Sequence, residues 1–420
     1  MLYIALSLIL ILCHAPLMGN VLTKIRSGFL PSTADFGALS VMLCYDLGFA
    51  VEAFGYPNEQ EFVPSLFSVP SGTFITAFLF ILSAPWAFQI GSYLVTANRY
   101  QQRQEPRERL KRKRRALFYA LTLAVVILLC FMGCYRVLSG ADIWTTRAEV
   151  GQEWGTLILV LYVPLHLLAF YVRQADSRHM KARVYTAILL IASVCSTLPI
   201  GQRTNIILPF VIICLFGIRM STTRITTAGA ILVTLAVVLL PWFKWQHSSS
   251  SVPFGEQVST VIHGDISRTG VIGAAIEESL PVGTRILPYP MSGYVYSLLF
   301  YAPRPLAPFK GIATAYYFTA YLAHTNPLEI DWGLGIGAIE EAILNLGTLL
   351  VVPVLLLYGV CFGWLDRLSF RFPSLVVPTR LGALWVCDYH LPAILLVYGT
   401  MAVIELILEF WIAEPASELT

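Results

Sequence analysis

Residues 72–135 read GTFITAFLFILSAPWAFQIGSYLVTANRYQQRQEPRERLKRKRRALFYALTLAVVILLCFMGCY, and this stretch decides the fold class. It holds two apolar segments, Gly72 to Ala97 and Ala116 to Tyr135. Each has the roughly 20 mostly apolar residues that a membrane-spanning helix needs. Between them, Arg99 to Arg115 contains nine basic residues. Loops rich in Lys and Arg stay on the cytoplasmic side, so this loop sets the predicted orientation. The sequence therefore predicts an integral membrane protein.

The composition of the whole chain supports the same class. Hydrophobic residues make up 57% of its 420 residues and charged residues 13%, and the mean hydropathy is +0.70. A typical soluble domain has about 25% charged residues. Unpaired backbone groups are costly in hydrocarbon, so the spans are predicted to be helices, and the alternating pattern of a β-barrel is absent. The basic run Lys111 to Arg115 lacks the context of a nucleic-acid patch, so contact with anionic lipid is expected instead.

About ten spans are predicted from the apolar runs, and the other basic segments then fall on the cytoplasmic side. The spans lie near Leu2 to Met18, Phe36 to Gly55, Gly72 to Ala97, Ala116 to Tyr135, Gly155 to Val172, Val184 to Ile200, Asn205 to Gly217, Ile225 to Trp245, Gly335 to Gly363 and Leu391 to Trp411. The basic segments are Lys24 with Arg26, Arg173 to Arg183, Arg219 with Arg224, and Arg367 to Arg380. We expect three regions: N-terminal transmembrane helices (1–245), a large extracytoplasmic loop (246–334) and C-terminal transmembrane helices (335–420).

The loop over residues 246–334 is far longer than an ordinary connection, so we expect it to be functional. Gly293 to Tyr301 and Thr314 to Leu322 are rich in aromatic and aliphatic residues but too short for full spans. They are predicted to be short helices that lie at the membrane interface or dip into it, where Tyr is favoured. Tyr316 and Tyr317 in the second of them are candidate substrate contacts.

Arg203 follows one short, proline-containing apolar segment and precedes another. Pro199 and Pro209 interrupt these segments, which is typical of discontinuous helices whose ends meet at a cavity. An arginine there is costly unless it faces water or an anion. The alternative is that Arg203 extends to the outer interface and has no functional role.

Arg304 lies between two prolines, and Lys310 follows a few residues later. The prolines stiffen the backbone and hold the planar guanidinium in place, which suits phosphate recognition. The alternative is a structural turn in which Arg304 pairs with Glu277 or Asp331.

His263, Asp265 and Arg268 lie within about one helical turn, and Arg285 follows in the same loop. This group combines a possible base with anion-binding side chains. Ordinary surface polarity explains the pattern almost as well.

Glu341 and Asn345 enter the predicted ninth span after a glycine-rich approach. They are four residues apart, so they share a helix face that is expected to look away from lipid. Glu340 lies about 100° around the helix and could serve in place of Glu341. The alternative is that the carboxylate only stabilises the start of the helix through the macrodipole.

Other intramembrane acids leave a rival class open. Asp46 and Glu52 in the second span, and Glu405 and Glu409 in the last, could be proton sites of a transporter. The sequence has no phosphate-binding glycine loop, HExxH or GxSxG motif, and none of its eight cysteines has zinc-like spacing. We therefore expect no cofactor, no metal and no nucleotide donor.

Three stretches carry a resemblance to a known family. They are GQRTNIILPFVI (201–212), APRPLAPFK (302–310) and GAIEEAILNLG (337–347). Their order and placement resemble the Wzy-type O-antigen and oligosaccharide repeat-unit polymerases, a family that includes the enterobacterial common antigen polymerase. Such proteins often have Gly before the late glutamate, where this chain has Glu340, so either carboxylate could be the match. Many members have about twelve spans, so the expected fold is an all-α polytopic bundle of about ten to twelve spanning helices.

The resemblance implies glycosyl transfer without a nucleotide sugar, in surface polysaccharide biosynthesis at a bacterial inner membrane. A glycan chain would move from undecaprenyl diphosphate to a hydroxyl of another lipid-linked repeat unit. Arginines would stabilise the departing diphosphate, and a carboxylate or histidine would deprotonate the hydroxyl. The catalytic candidates are Glu341, Arg203, Arg304, Arg268, His263 and Asp265. The candidates for substrate binding are Lys310, Arg285, Tyr316, Tyr317, Asn345 and Glu340.

The expected partners are the lipid-linked oligosaccharide and the bilayer, with a chain-length regulator and a flippase as possible protein partners and no nucleic acid. An O-antigen ligase-type glycosyltransferase and a lipid-linked glycan transporter are the alternatives left open.

Overall fold

The computed structural model describes only part of the chain. The described residues are 2–27, 29–55, 63–96, 163–174, 180–197, 267–279, 286–299, 311–330, 333–387 and 391–412, with 209, 212, 263, 302, 306, 307 and 309. Of the predicted site, Arg203, Asp265, Arg285, Arg304 and Lys310 lie outside these residues. Throughout this part of the chain the fold is helical and contains no strand, which confirms the all-α prediction.

Fourteen α-helices are described, and they are numbered in chain order. They are α1 (Leu2–Arg26), α2 (Thr33–Val41), α3 (Leu47–Ala53), α4 (Ser71–Thr96), α5 (Val163–Gln174), α6 (Met180–Thr197), α7 (Thr269–Ser279), α8 (Ser292–Leu298), α9 (Thr314–Leu322), α10 (Ala338–Leu346), α11 (Val351–Arg371), α12 (Val376–Leu384), α13 (Leu391–Ile394) and α14 (Thr400–Ile412). Short 3₁₀ turns are Leu66–Ser68, Thr348–Leu350 and Pro373–Leu375, and π turns are Met42–Asp46 and Leu395–Gly399.

The chain forms two compact units. One consists of Met1–Arg103 with Ser249–Gly399, and the other of Gln104–Ser248 with Thr400–Thr420. In the second unit, α5 packs against α6 and α14. Glu405 on α14 is fully buried, as expected for an acid that avoids lipid. The side chain of Glu409 lies outside the described residues.

Four described helical segments are long and apolar enough to cross a membrane, which supports the prediction of a membrane protein. They are Leu2–Arg26, Thr33–Ala53, Ser71–Thr96 and Thr348–Arg371. The first three overlap the first three predicted spans. The total of ten to twelve spans stays a prediction.

Glycines bring α4 and α11 into close contact. A Cβ atom built on Gly91 would lie 2.2 Å from the Leu356 carbonyl oxygen, and one on Gly359 would lie 2.5 Å from the Phe88 carbonyl oxygen. Gly359 and Gly363 form a small-xxx-small pattern, which lets helix backbones approach closely in membranes. Any larger residue at Gly91 or Gly359 would force the two helices apart.

The sequence prediction places the start of the ninth span too early, at Gly335. Gly347 ends α10 with a backbone φ of +79°, a left-handed conformation that glycine adopts readily. The candidate span starts only at Thr348. Glu340 and Glu341 therefore lie on a separate nine-residue helix ahead of the span.

The prediction that Arg367 to Arg380 forms a basic loop is wrong for Arg380, which does not lie in an exposed loop. It is on α12 and only 2% exposed. Its Nε donates to the Pro31 carbonyl (2.7 Å), and its Nη2 lies 3.6 Å from Asp366 Oδ1. Asp366 also accepts from the backbone N–H (3.0 Å) and hydroxyl (2.7 Å) of Thr33. These contacts join the start of α2 to the end of α11, and we call the group Thr33, Asp35, Asp366 and Arg380 the paired cluster.

Candidate functional site

Glu340 is held at the start of α10 by its own helix and by the second candidate span. Its Oε2 accepts from the Gly337 backbone N–H (2.9 Å), as a glutamate does at the third position of a capping box. The Tyr45 hydroxyl lies 2.7 Å from Oε1 and 2.8 Å from Oε2. Both residues are 0% exposed. Glu340 is therefore a buried carboxyl whose two oxygens have donors.

The π turn that contains Tyr45 also positions Arg268. A π turn widens a helix locally and often marks a functional site. Within this turn, the Cys44 carbonyl accepts from the backbone N–H of Arg268 (2.7 Å). Arg268 therefore lies just before the start of α7, next to the π turn whose Tyr45 binds Glu340.

The Arg268 guanidinium is buried next to the Glu340 carboxyl. It packs on Gly335, where a Cβ atom would lie 2.3 Å from Nη2, and its Nη1 donates to the Ser267 carbonyl (3.3 Å). Burial raises the pKa of Glu340 to about 7, while the Tyr45 and Gly337 hydrogen bonds and the charge of Arg268 act to lower it. Gly335 is required because any side chain there would displace the guanidinium.

Glu341 is bound much less completely than Glu340. It is 1% exposed, and its Oε2 accepts one long hydrogen bond, from the Leu391 backbone N–H (3.3 Å). Its Oε1 has no hydrogen-bond partner among the described residues. Burial, with a smaller contribution from the neighbouring Glu340 carboxyl, raises the pKa of Glu341 to about 8, while the Leu391 hydrogen bond acts to lower it. A buried acid with a free oxygen and a pKa near neutrality is typical of a functional site.

Three buried hydroxyls lie on α8 and α9, and that of Tyr294 is near Glu341. The Tyr294 hydroxyl is close enough to Glu341 that burial and the carboxylate charge raise the pKa of Tyr294 well above its usual range. The Ser292 and Thr314 hydroxyls are buried as well. Within the described part of the chain, none of the three has a hydrogen-bond partner. We call Ser292, Tyr294 and Thr314 the hydroxyl cluster.

Asn345, on α10, forms a hydrogen bond to α8, the helix that carries Ser292 and Tyr294. Its Nδ2 donates to the Glu341 backbone carbonyl (2.8 Å), and its Oδ1 accepts from the Gly293 backbone N–H (2.9 Å). A Cβ atom on Gly293 would lie 1.9 Å from Thr314 Oγ1, so only glycine lets the three helices meet here. The prediction that Glu341 and Asn345 share a helix face is confirmed.

A cavity of about 160 Å³ lies beside this junction, and Asn345 forms part of its wall. Pro290, Ile343 and Leu344 line it with apolar surface. Met291, between the cavity and α8, has a backbone φ of +62°, which is strained for a residue other than glycine. The cavity therefore lies next to α10, on the side of that helix where Asn345 meets α8.

The structure places His263 with Glu52. His263 Nδ1 lies 3.9 Å from Glu52 Oε1, and Glu52 also accepts from the Thr269 and Ser65 hydroxyls (2.5 Å each). Tyr316 and Tyr317 lie half-buried on α9, as predicted for a short helix. The structure thus brings together Glu340, Glu341, Asn345 and Arg268 among the predicted site residues.

Sequence reasoning missed Tyr45 as the partner of Glu340 and did not single out the hydroxyl cluster. One signal for Glu340 was present, because a glutamate three residues after a helix-capping position is the capping-box spacing. No local signal connects Tyr45 to a residue 295 positions later.

The site combines two buried carboxyls, those of Glu340 and Glu341, with the buried guanidinium of Arg268. In the described residues, no group of three or more His, Cys, Asp or Glu side chains could hold a metal ion. The described part of the chain is therefore that of an α-helical membrane protein, with Glu340 and Glu341 buried on a short helix ahead of a candidate span. Comparison with protein-family models, curated proteins and solved structures gives no match for this chain.

Proposed function

We propose that the protein is a multi-pass, inner-membrane polymerase of lipid-linked oligosaccharides. It transfers a glycan chain from undecaprenyl diphosphate to another lipid-linked repeat unit without a nucleotide sugar. The observation that carries this proposal is the buried Glu341 carboxyl, with its unpartnered oxygen in the described structure, next to Glu340, whose own carboxyl lies near the buried Arg268. The order of motifs in the sequence supports the same reaction.

Glu341 acts as the general base in this proposal. The proton of the attacking sugar hydroxyl passes to Glu341 Oε1 as the oxygen forms a bond to the anomeric carbon. The bond from that carbon to the diphosphate breaks, and its electron pair leaves on the diphosphate oxygen. A base is most effective when its pKa lies near the working pH, and burial gives Glu341 a pKa of about 8. Glu340 is less suited, since Tyr45 and Gly337 already donate to its oxygens.

Arg268 stabilises the negative charge that develops on the leaving diphosphate. A buried, fixed guanidinium is effective in this role because it needs no reorganisation as the charge grows. Arg304 and Arg203, the candidates from the sequence motifs, keep the same proposed role, with Lys310 and Arg285 in substrate binding. His263 and Asp265 are secondary candidates for the base, and the contact of His263 with Glu52 favours Glu341.

The test is an elongation assay with purified protein and a lipid-linked repeat unit, in detergent and without nucleotide. The proposal expects longer glycans on the lipid, and transfer to lipid A core instead would identify a ligase-type enzyme. Arg268→Ala should reduce elongation strongly, and Arg268→Lys should restore only part of it because lysine lacks the planar fork. Absence of transfer by the wild-type protein to either acceptor, with the protein folded, would refute the proposal.

A transporter is the second candidate, and one buried pair favours it. His14 on α1 and Asp46 in the π turn lie 2.6 Å apart (Nδ1 to Oδ2), and His14 Nε2 lies 3.2 Å from the Leu82 carbonyl. Ionisable groups inside spans often mark proton pathways. In proteoliposomes, Asp46→Asn should then abolish translocation of a labelled lipid-linked glycan. Loss of translocation with normal elongation in detergent would separate the two activities.

A further inference from the structure

Four unpartnered polar atoms of the described residues lie on the three short helices that meet at Gly293. Glu341 Oε1 is on α10, Ser292 Oγ and the Tyr294 hydroxyl are on α8, and Thr314 Oγ1 is on α9. Gly293 joins them, because its backbone contacts both Asn345 and Thr314. Buried polar atoms in native proteins nearly always have partners, so four that lack one in the described residues, at a single junction, indicate a ligand site.

The chemistry of these atoms selects among ligands. Each hydroxyl can donate one hydrogen bond and accept two, and a carboxylate accepts hydrogen bonds. A sugar, whose hydroxyls both donate and accept, can satisfy all four atoms. A diphosphate offers mainly acceptor oxygens and so could not donate to the Glu341 carboxylate, and a hydrocarbon chain would leave the hydroxyls without partners.

We propose that Ser292, Tyr294 and Thr314, together with Glu341, form the binding subsite for the terminal sugar of the acceptor glycan. The three hydroxyls hold the sugar through its ring hydroxyls and direct the attacking hydroxyl to Glu341 Oε1. A neighbouring cavity, which Asn345 borders, lies next to the subsite. This inference rests on the proposed glycosyl transfer and assigns the acceptor to one side of α10, away from Arg268 and Glu340.

The proposed subsite binds the acceptor but does not take the proton, so substitutions in it should change KM more than kcat. Both quantities can be measured with the full-length protein. Ser292→Ala and Thr314→Val remove one hydroxyl each while keeping the shape of the side chain. Each should raise the KM for the acceptor by about tenfold, the effect of one lost hydrogen bond, with a smaller change in kcat. Tyr294→Phe should raise KM and also lower kcat, since its hydroxyl lies next to the base.

Two matched variants control for folding. Tyr296→Phe removes a hydroxyl from the same helix, two residues away from Tyr294 and outside the cluster, and should leave KM unchanged. Thr314→Ser keeps the hydroxyl at Thr314 and should retain acceptor binding. Thermal unfolding of each variant in detergent identifies any that fail to fold.

A binding measurement distinguishes failure of the subsite from failure of the proposed reaction. Saturation-transfer NMR is recorded on the purified protein with methyl glycosides of glucose, galactose, mannose and N-acetylglucosamine. Binding by the wild type that is lost in Ser292→Ala and Thr314→Val supports the subsite, even if no elongation occurs. Equal binding in the wild type and these variants, or no binding by the wild type, overturns it, even if elongation is normal.

Discussion

Two groups of buried ionisable side chains in the same unit of this protein differ in how completely they are paired. In the paired cluster, Asp366 accepts from Thr33 and faces Arg380, and Asp35 accepts from Lys24 (2.6 Å) and Gln89 (3.0 Å). At α10, Glu341 has a single long hydrogen bond, and the adjacent hydroxyl cluster has no partners in the described residues. Both groups are buried to a similar extent, so burial alone does not separate them.

The difference in pairing indicates a difference in role. A buried charge with complete partners is held in place, and removing one partner leaves the other uncompensated. A buried polar group without partners lowers stability by about 1–3 kcal/mol and is retained where it serves a function. The paired cluster is therefore expected to stabilise the fold, and the Glu341 region to carry the chemistry.

The largest expected effect is loss of activity in Glu341→Gln. Removing a general base typically slows a reaction by about 10²- to 10⁴-fold, and the amide keeps the size of the side chain. Elongation of lipid-linked glycan should fall by this factor, while the unfolding temperature at pH 7 stays equal or rises. Glu340→Gln should slow elongation less. Equal loss in both variants would show that the two carboxyls act as one unit.

The next effect is on stability, in Arg380→Ala. Removing one partner of a buried ion pair costs about 3–5 kcal/mol, because Asp366 is left buried without its cation. Thermal or denaturant unfolding in detergent measures this change.

Arg371→Ala is the matched control for Arg380→Ala. Arg371 is an exposed residue at the end of α11, near the ring of Phe372. Surface substitutions of this kind change stability by about 0.5 kcal/mol or less. Similar destabilisation by the two variants would contradict the structural role of the paired cluster.

Local patterns in the sequence predicted the helices but not the pairing between them. The lengths and apolar character of α1, α4 and α9 follow from composition over about 10 to 25 residues, the scale on which a helix pattern is defined. The four-residue spacing of Glu341 and Asn345 follows from helix geometry. Each of these features depends on residues close together in the chain.

The missed features depend on residues far apart in the chain. Tyr45 binds Glu340, and Arg380 binds the Pro31 carbonyl, across separations of 295 and 349 residues. Arg380 was predicted to lie in a basic loop because its charge, read alone, favours the cytoplasmic surface. Only the three-dimensional fold shows that Arg380 lies beside the buried Asp366. Arg203 and Arg304 lie outside the described residues, so their roles stay predictions.

A moderate effect on stability is expected for Tyr45→Phe. The change removes the hydroxyl that contacts both oxygens of Glu340 and leaves the ring in place. Loss of one partner of a buried carboxyl costs about 1–3 kcal/mol. Tyr45→Phe with Glu340→Gln in a double-mutant cycle measures the coupling between the two side chains. Additive effects would show that the Tyr45–Glu340 hydrogen bond contributes nothing to stability.

The last prediction is a pH-dependent difference in stability between the wild type and Glu341→Gln. In the unfolded chain a glutamate has a pKa of about 4.3, and in the folded protein burial raises the pKa of Glu341 to about 8. Between these values the folded state binds more protons, so the stability present below the unfolded pKa is lost as the pH rises through about 8. Glutamine has no such dependence.

The unfolding temperature of Glu341→Gln should therefore exceed that of the wild type by a margin that grows from pH 5 to pH 9. Glu329→Gln, on an exposed turn, is the control for replacing a carboxyl with an amide. A margin for Glu341→Gln that stays constant from pH 5 to pH 9 would contradict the raised pKa of Glu341.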